Sequence, residues 1–157
     1  MTLQVLRFAH VMALIVWLGC AAGEIVMELV LWRTKSAARQ RAYIDLHRIV
    51  DLTVEGPALL LTLVTGTLLL WQRGYLSDTK LWPRWLEDKI ICGLVVAAIN
   101  IVCGFFVMVR ARKTDNLPGN AAPLSDSTIQ SWHYAVISTF IGVPFAMIAL
   151  WLAVNKS

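Results

Sequence analysis

Charged residues are scarce in this sequence. Asp, Glu, Lys and Arg make up only 15% of its 157 residues, whereas hydrophobic residues make up 58%. Soluble globular domains have about 25% charged and about 45 to 50% apolar residues. The chain therefore has too few charges to cover the surface of a water-soluble domain. Together with a mean hydropathy of +0.66, this composition predicts an integral membrane protein.

Cysteine motifs and linker-like tracts are also missing. The three cysteines, Cys20, Cys92 and Cys103, are an odd number and all fall within apolar runs, so a disulfide framework is not expected. No CxxC pair is present, which argues against a zinc site of that kind. Tracts rich in Pro, Gly or Ser and blocks of like charge are absent as well. We therefore expect one transmembrane domain over residues 1–157.

Four apolar runs are long enough to cross a bilayer. A transmembrane helix needs about 20 predominantly apolar residues to span about 30 Å of hydrocarbon. Most of the seven Trp residues lie at or near the ends of the runs, where an indole sits at the level of the headgroups. We therefore predict an all-α fold, an integral membrane four-helix bundle. The predicted spans are Phe8 to Trp32, Leu52 to Trp71, Ile90 to Val109 and Trp132 to Val154.

The basic residues are distributed unevenly between the two sides of this bundle. Eight of the 14 Lys and Arg residues lie between the first two runs or between the last two, and six lie on the opposite side. The positive-inside rule then places both termini on the outer, periplasmic side of a multi-pass protein in the bacterial inner membrane. Because this topology accounts for the net charge of +4, the expected partner is the lipid bilayer, and nucleic acid is not expected.

Ionisable residues lie inside the predicted spans, and most of them belong to the inner half. Glu24 and Glu28 share one stripe of the first helix, and His47, Asp51 and Glu55 follow at four-residue intervals on one face of the second. The predicted topology brings both stripes to the inner leaflet, where the fourth span begins with a further histidine. The predicted metal-ligating residues are Glu24, Glu28, His47, Asp51, Glu55 and His133.

An energy argument indicates that these carboxylates face the interior of the bundle. Four of them facing lipid would cost on the order of 10 kcal/mol, which is as much as the whole stability of many domains. Three interpretations stay open: salt bridges at the inner helix ends, a metal or proton-handling site, or carboxylates that serve a porphyrin. Imidazole and carboxylate ligands suit Fe, Mn or Zn, and helical bundles build such sites from facing helices. The Glu-x-x-His signature of di-metal bundles is absent.

A second group of polar residues belongs to the outer half. His10 on the first helix and Lys89 at the start of the third lie in the same leaflet, with Asn100 deeper in the third span. A histidine in a span forms an interhelical hydrogen bond, ligates haem or donates a proton. Asn100 is suited to an interhelical hydrogen bond, and Lys89 to snorkelling toward the headgroups or to an interfacial ion pair with the neighbouring Glu87 or Asp88.

Three segments carry a resemblance to a known family. They are the Leu-Arg-Phe-Ala-His stretch 6–10 followed by Trp17, the Gly-Pro-Ala to Thr-Gly stretch 56–66, and Trp85-Leu86 followed by Lys89. Together they resemble the HemJ-type protoporphyrinogen IX oxidases and the wider group that includes CopD-like copper proteins. The chain differs from that family at Ile25-Val26, where a Pro-Arg pair is usual, and at Asn100, where a histidine is common.

The resemblance implies a redox enzyme or haem-binding protein that uses haem b. His10 and Lys89 would be catalytic: His10 would ligate haem iron or accept a proton, and Lys89 would hold a propionate or stabilise a deprotonated intermediate. The cofactor would take the electrons. The implied cofactor-binding residues are His10, Lys89, Asn100 and Trp17.

Two other classes of function remain open. The alternative hypothesis is an intramembrane metal-binding protein, an enzyme or a metal carrier, that uses the inner cluster to bind Fe, Mn, Zn or Cu. The third is a non-catalytic assembly subunit whose charged stripe contacts another membrane protein. A porphyrin or other small-molecule substrate, a homo-oligomer and a membrane redox partner are expected as partners under one or another of these hypotheses.

Overall fold

Every element in the described part of the protein is helical. The computed structural model describes residues 2–77, 82–116, 141–152 and 154–155, and no strand occurs among them. The helices are α1 (Leu3–Arg33), α2 (Ala37–Val50), α3 (Gly56–Gln72), α4 (Arg84–Asp115) and α5 (Ile141–Leu152), and a π-helical turn, Asp51–Glu55, joins α2 to α3. Three helical stretches are long and apolar enough to cross a membrane. The prediction of an all-α membrane bundle is confirmed.

Helix α1 extends beyond the predicted span at its outer end. It has 31 residues, about 46 Å at 1.5 Å per residue. The side chain of Thr2 caps its start by accepting a hydrogen bond from the backbone N–H of Val5 at 3.4 Å. Thr34 ends it, with its hydroxyl bonded to the carbonyl of Val30 at 2.8 Å. Because these caps lie outside the apolar run, hydropathy alone predicted too late a start.

The second span is the C-terminal part of one long helical stretch, Ala37–Gln72. The helix can start as early as Ala37, well before the apolar run, because the segment from Ala37 to Arg48 contains no Gly or Pro. Further along, Pro57 has no N–H and cannot form the regular bond to the fourth preceding carbonyl. The wider π turn forms directly before it, and the N–H of Gly56 bonds to the carbonyl of Asp51. A Cβ on Gly56 would lie 2.9 Å from that carbonyl oxygen, so glycine is required at this turn.

The helices meet in two small apolar clusters with polar groups beside each. The central cluster joins α1, α3 and α4 through four buried side chains, Trp17, Ala58, Leu59 and Ala97. Near the inner end, Ile44 of α2 packs against Ala111 of α4. Large apolar side chains on the outside, such as Phe8 with 68% and Phe105 with 64% of their surface exposed, form a surface suited to lipid.

Helix α5 is the described part of the fourth predicted span. It is apolar but shorter than the three membrane-length stretches. Residues 132–140 of the predicted run, which include Trp132 and the predicted metal ligand His133, lie outside the described residues. A fourth crossing from Trp132 to Val154 therefore stays a prediction, as does the orientation of the bundle.

Candidate metal centre

Five of the six residues predicted to form the inner cluster come together in the structure. Glu24 and Glu28 project from α1, His47 comes from the last turn of α2, and Asp51 and Glu55 lie at the two ends of the π turn. The cluster is shielded from solvent, since Glu28, His47 and Glu55 are each 5% exposed or less. The four-residue spacing within each helix and the π turn together direct these side chains to one point.

His47 lies at the centre of the cluster. Its Nδ1 is 2.8 Å from Oε1 of Glu28, and its Nε2 is 3.5 Å from Oε2 of Glu24 and 3.5 Å from Oδ1 of Asp51. Because an ionised carboxylate only accepts hydrogen bonds, a neutral imidazole in this position carries its proton on Nδ1. The lone pair of Nε2 then faces Glu24 and Asp51. Metal-bound histidines are commonly oriented in this way, by a carboxylate on the far ring nitrogen.

Arg110 of α4 completes the support behind His47. It is 2% exposed and binds Glu28 with both terminal nitrogens, Nη1 to Oε2 at 2.9 Å and Nη2 to Oε1 at 2.5 Å. Nη2 of Arg110 also lies 3.1 Å from Nδ1 of His47, because both nitrogens contact Oε1 of Glu28. Glu28 is therefore paired with Arg110 and serves to hold His47. Glu28 thus contacts the Nδ1 side of His47, whereas the group of ligand atoms close enough to hold an ion comes from Glu24, His47 and Asp51.

Glu24 and Asp51 have no comparable support. Oε1 of Glu24 and Oδ1 of Asp51 are buried, and neither has a hydrogen-bond partner in the described part of the chain. The Glu24 carboxyl lies within hydrogen-bonding range of the carboxyls of Asp51 and Glu55. Two carboxylates make such a contact only through a shared cation, either a proton or a metal. This half of the cluster therefore has an unmet requirement for positive charge.

Glu55 and α4 close the outer side of the cluster. The side-chain amide of Asn100 donates to Oε1 of Glu55 at 2.5 Å, which fixes that carboxyl beside Glu24. Gly104, one turn further along α4, lies beside Asp51, and a Cβ there would be in ordinary van der Waals contact with Oδ2 at 4.0 Å. Asn100 was predicted to bind a cofactor in the outer half, whereas the structure places it at this inner cluster.

The ligand atoms of Glu24, His47 and Asp51 lie close enough together to hold a metal ion. One atom from each residue lies within 4.8 Å of the other two. Ligands at about 2.1 Å from a common ion are themselves about 3.0 to 3.4 Å apart in octahedral and tetrahedral geometry. The 3.5 Å separations of Nε2 from the two carboxylates are close to this range and longer than a normal N–H···O hydrogen bond of about 2.7 to 3.2 Å.

Sequence reasoning missed Arg110. Its place directly after the third apolar run led to its assignment as one of the basic residues that set topology. The same position could have indicated a pairing with Glu28, because a basic residue at the end of a span can turn inward to a buried carboxylate. The choice between these roles depends on the rotation of α4 about its axis, which the sequence does not give.

The outer candidates His10, Lys89 and Trp17 line a separate cavity of about 220 Å³. Nδ1 of His10 is 3.0 Å from Oγ1 of Thr65 and 3.1 Å from the carbonyl of Thr62. Because a carbonyl accepts, Nδ1 of a neutral His10 carries the proton, and Nε2 is left as the acceptor. The ring fits against α3 because residue 66 is glycine, where a Cβ would lie 3.2 Å from Cε1 of His10.

The fold and the buried polar cluster define a helical integral membrane protein with a candidate cation site inside the bundle. A family of predicted integral membrane proteins, DUF2269, matches residues 4–157, and the chain belongs to that family. No curated protein and no solved structure matches the chain. The family description names neither HemJ nor CopD and gives no activity. Residence in the bacterial inner membrane, a homo-oligomer and a redox partner stay predictions.

Proposed function

We propose that this protein binds a divalent transition-metal ion inside the membrane through Glu24, His47 and Asp51. One observation carries the proposal: three ligand atoms converge within 4.8 Å, and two buried carboxylate oxygens of the same residues have no hydrogen-bond partner in the described chain. A buried acceptor left without a partner costs about 1 to 3 kcal/mol. The unpartnered oxygen of Glu24 is Oε1, whereas the oxygen 3.5 Å from Nε2 is Oε2. A cation beside Nε2 would therefore satisfy both Glu24 and Asp51 only if Glu24 binds it with both oxygens.

The cluster divides into two halves with different roles. Glu28 and Arg110 form a buried ion pair through both terminal nitrogens of the arginine, which is the salt-bridge interpretation and accounts for the carboxylate of Glu28. The same interpretation does not account for the contact between the Glu24 and Asp51 carboxyls, because that contact needs a shared proton or metal ion. The metal interpretation therefore applies to the half of the cluster around the Nε2 of His47.

The donor set favours Mn, Fe or Zn. One imidazole nitrogen and two carboxylate oxygens combine the ligand types that these ions accept. Glu55, held by Asn100 next to Glu24, supplies a further oxygen to the same region. Three protein ligands leave at least one coordination position for water or a substrate, as in catalytic and exchangeable sites. Both an enzyme and a metal carrier are compatible with such a site.

Metal analysis of the purified protein tests the proposal. The protein is stripped with chelator in detergent, incubated with Mn²⁺, Fe²⁺ under anaerobic conditions or Zn²⁺, and its metal content is measured by mass spectrometry. We expect about one ion per chain in the wild type. Glu24→Gln and Asp51→Asn, which keep the side-chain shape but remove the charge, should lower the affinity at least tenfold.

A matched control separates site binding from general attraction of cations. Asp45 carries an exposed carboxylate on α2, with a side chain 51% exposed, so Asp45→Asn removes the same charge outside the cluster and should leave metal binding unchanged. Absence of stoichiometric metal from the wild type, or equal binding by Glu24→Gln and Asp45→Asn, would show that the cluster is not a metal site.

The haem and redox hypothesis for the outer cavity fits the structure less well. Its support is that His10 and Lys89 line one cavity and that His10 has an acceptor nitrogen. The cavity of about 220 Å³ is smaller than the roughly 300 to 1,000 Å³ of pockets for drug-sized ligands, and haem is larger than those ligands. Haem binding would require the helices to separate. A Soret band in protein expressed with adequate haem, lost in His10→Ala, is the corresponding test.

A further inference from the structure

The outer cavity has a lining of a different kind from the candidate metal centre. It lies between α1, α3 and α4, with Ala146, Ala149 and Leu150 of α5 at one side. Leu63 and Leu94, which line it, are 36% and 57% exposed on the apolar outer surface. The mouth of the cavity therefore opens to the region that lipid occupies, and a ligand can enter from the bilayer.

Trp17 lines the inner end of this cavity. It is 4% exposed, and its indole Nε1 has no hydrogen-bond partner among the described residues. Buried N–H groups in native proteins are almost always paired, so this group is suited to a ligand with an acceptor oxygen. At the outer end, the Nε2 of His10 is an acceptor because Nδ1 donates to Thr62 and Thr65.

The size of the cavity limits the ligand to a single ring. A cavity of about 150 Å³ is large enough for benzene, so a volume of about 220 Å³ holds one substituted six-membered ring. His10 and Trp17 are seven residues apart, about 10 Å along the axis of α1. This is close to the length of a ring that carries oxygen at opposite ends, with a hydrogen bond of about 2.9 Å at each.

We propose that this cavity binds the ring of a lipid-soluble quinol. The indole N–H of Trp17 donates to one ring oxygen, and the Nε2 of His10 accepts a hydrogen bond from a hydroxyl at the other end. Aliphatic side chains from α3 and α4, such as Leu63, Leu70 and Leu94, pack against the ring. The opening toward lipid accommodates the apolar tail that keeps such compounds in the bilayer.

This proposal does not depend on the metal centre. The apolar cluster of Trp17, Ala58, Leu59 and Ala97 lies between the two sites along the helices, one turn from Glu55 on α3 and one turn from Asn100 on α4. Ring binding should therefore persist in chelator-treated protein and in the Glu24→Gln variant. Failure of one proposal leaves the other standing.

Binding of ubiquinol-1 to the protein in phosphatidylcholine nanodiscs, kept reduced under anaerobic conditions, tests the inference. Bound quinol is measured by equilibrium dialysis, and we expect saturable binding of about one quinol per chain. Trp17→Phe keeps an aromatic ring but removes the N–H, and should weaken binding about five- to thirtyfold. Trp71→Phe is the control, because Trp71 is 66% exposed and does not line the cavity, and it should bind as the wild type does.

A competitor without oxygen separates a ring-oxygen site from a general apolar pocket. Tetramethylbenzene has a similar ring but no hydrogen-bonding group, and should compete at least tenfold less well than ubiquinol-1. Circular dichroism and gel filtration establish that each variant is folded. The proposal is overturned by a lack of saturable binding, by equal affinity of the Trp17→Phe and Trp71→Phe proteins, or by equal competition from tetramethylbenzene.

Discussion

At the scale of single residues, the orientation of His47 is the feature on which the candidate metal centre depends. Glu28 holds Nδ1 at 2.8 Å, and Arg110 holds Glu28 by two hydrogen bonds. The two residues come from α1 and α4, so three helices cooperate to point one nitrogen at Glu24 and Asp51. Residues in this supporting position typically change metal affinity by about 10- to 100-fold when mutated.

Glu28→Gln should therefore weaken metal binding without removing a ligand. A glutamine can turn its NH₂ group toward Nδ1, which favours the tautomer with hydrogen on Nε2 and blocks the lone pair that faces the metal. We expect about a 10- to 100-fold increase in the Kd for the bound ion, measured on the folded fraction of the protein. Glu87→Gln, an exposed change on α4, should have no effect. An unchanged Kd in Glu28→Gln would show that Glu28 does not position His47.

Arg110→Ala should act mainly on stability. It leaves the buried carboxylate of Glu28 without its cationic partner, and breaking a buried pair in this way costs about 3 to 5 kcal/mol. The measurement is thermal unfolding in detergent, with Arg112→Ala as the control because Arg112 is exposed two residues further along α4. Similar unfolding temperatures for both variants would argue against a buried Glu28–Arg110 pair.

Sequence alone could predict which acidic residues face inward but not what each one does. The spacing of Glu24 and Glu28, and of His47, Asp51 and Glu55, puts each set on one helix face, and the cost of charge in lipid turns those faces to the interior. Partner choice within the cluster depends on how the helices are rotated against one another. For that reason the supporting role of Glu28 and the participation of Asn100 appear only in three dimensions.

At the scale of elements, the π turn between α2 and α3 shapes the centre. Hydropathy predicted a helix in this region, but the wider turn arises from local chemistry: Pro57 lacks an N–H, and Gly56 tolerates the close carbonyl of Asp51. The turn carries a cluster residue at each end, Asp51 and Glu55. Single π turns are frequent at functional sites because they redirect side chains without ending the helix.

Gly56→Ala should disturb both the turn and the metal centre. Its Cβ would meet the carbonyl oxygen of Asp51 at 2.9 Å, and the backbone has to shift to relieve the contact. We expect a loss of about 1 to 3 kcal/mol in stability, as for other overpacked sites, and at least a tenfold weaker affinity for the metal. Gly23→Ala is the control, since a Cβ at Gly23 meets nothing within 4 Å. Equal effects of the two changes would contradict this account of the turn.

At the scale of the whole molecule, two polar sites occupy opposite halves of the bundle with an apolar cluster between them. The division was predictable from the sequence, because His10 and Lys89 lie near one end of their predicted helices and Glu24, Asp51 and Glu55 lie toward the opposite end of the bundle. The cavity was not predictable, since it depends on gaps between side chains of α1, α3 and α4. The predicted topology assigns the metal centre to the cytoplasmic half and the cavity to the periplasmic half.

Reporter fusions test that assignment in cells. Alkaline phosphatase is active only on the periplasmic side and green fluorescent protein is fluorescent on the cytoplasmic side, so each is fused after Leu76 and after Asn116. Because the basic residues between the first two and the last two runs should stay inside, we expect phosphatase activity at Leu76 and fluorescence at Asn116. The reverse pattern would place the metal centre on the periplasmic side, where its ion would come from outside the cell.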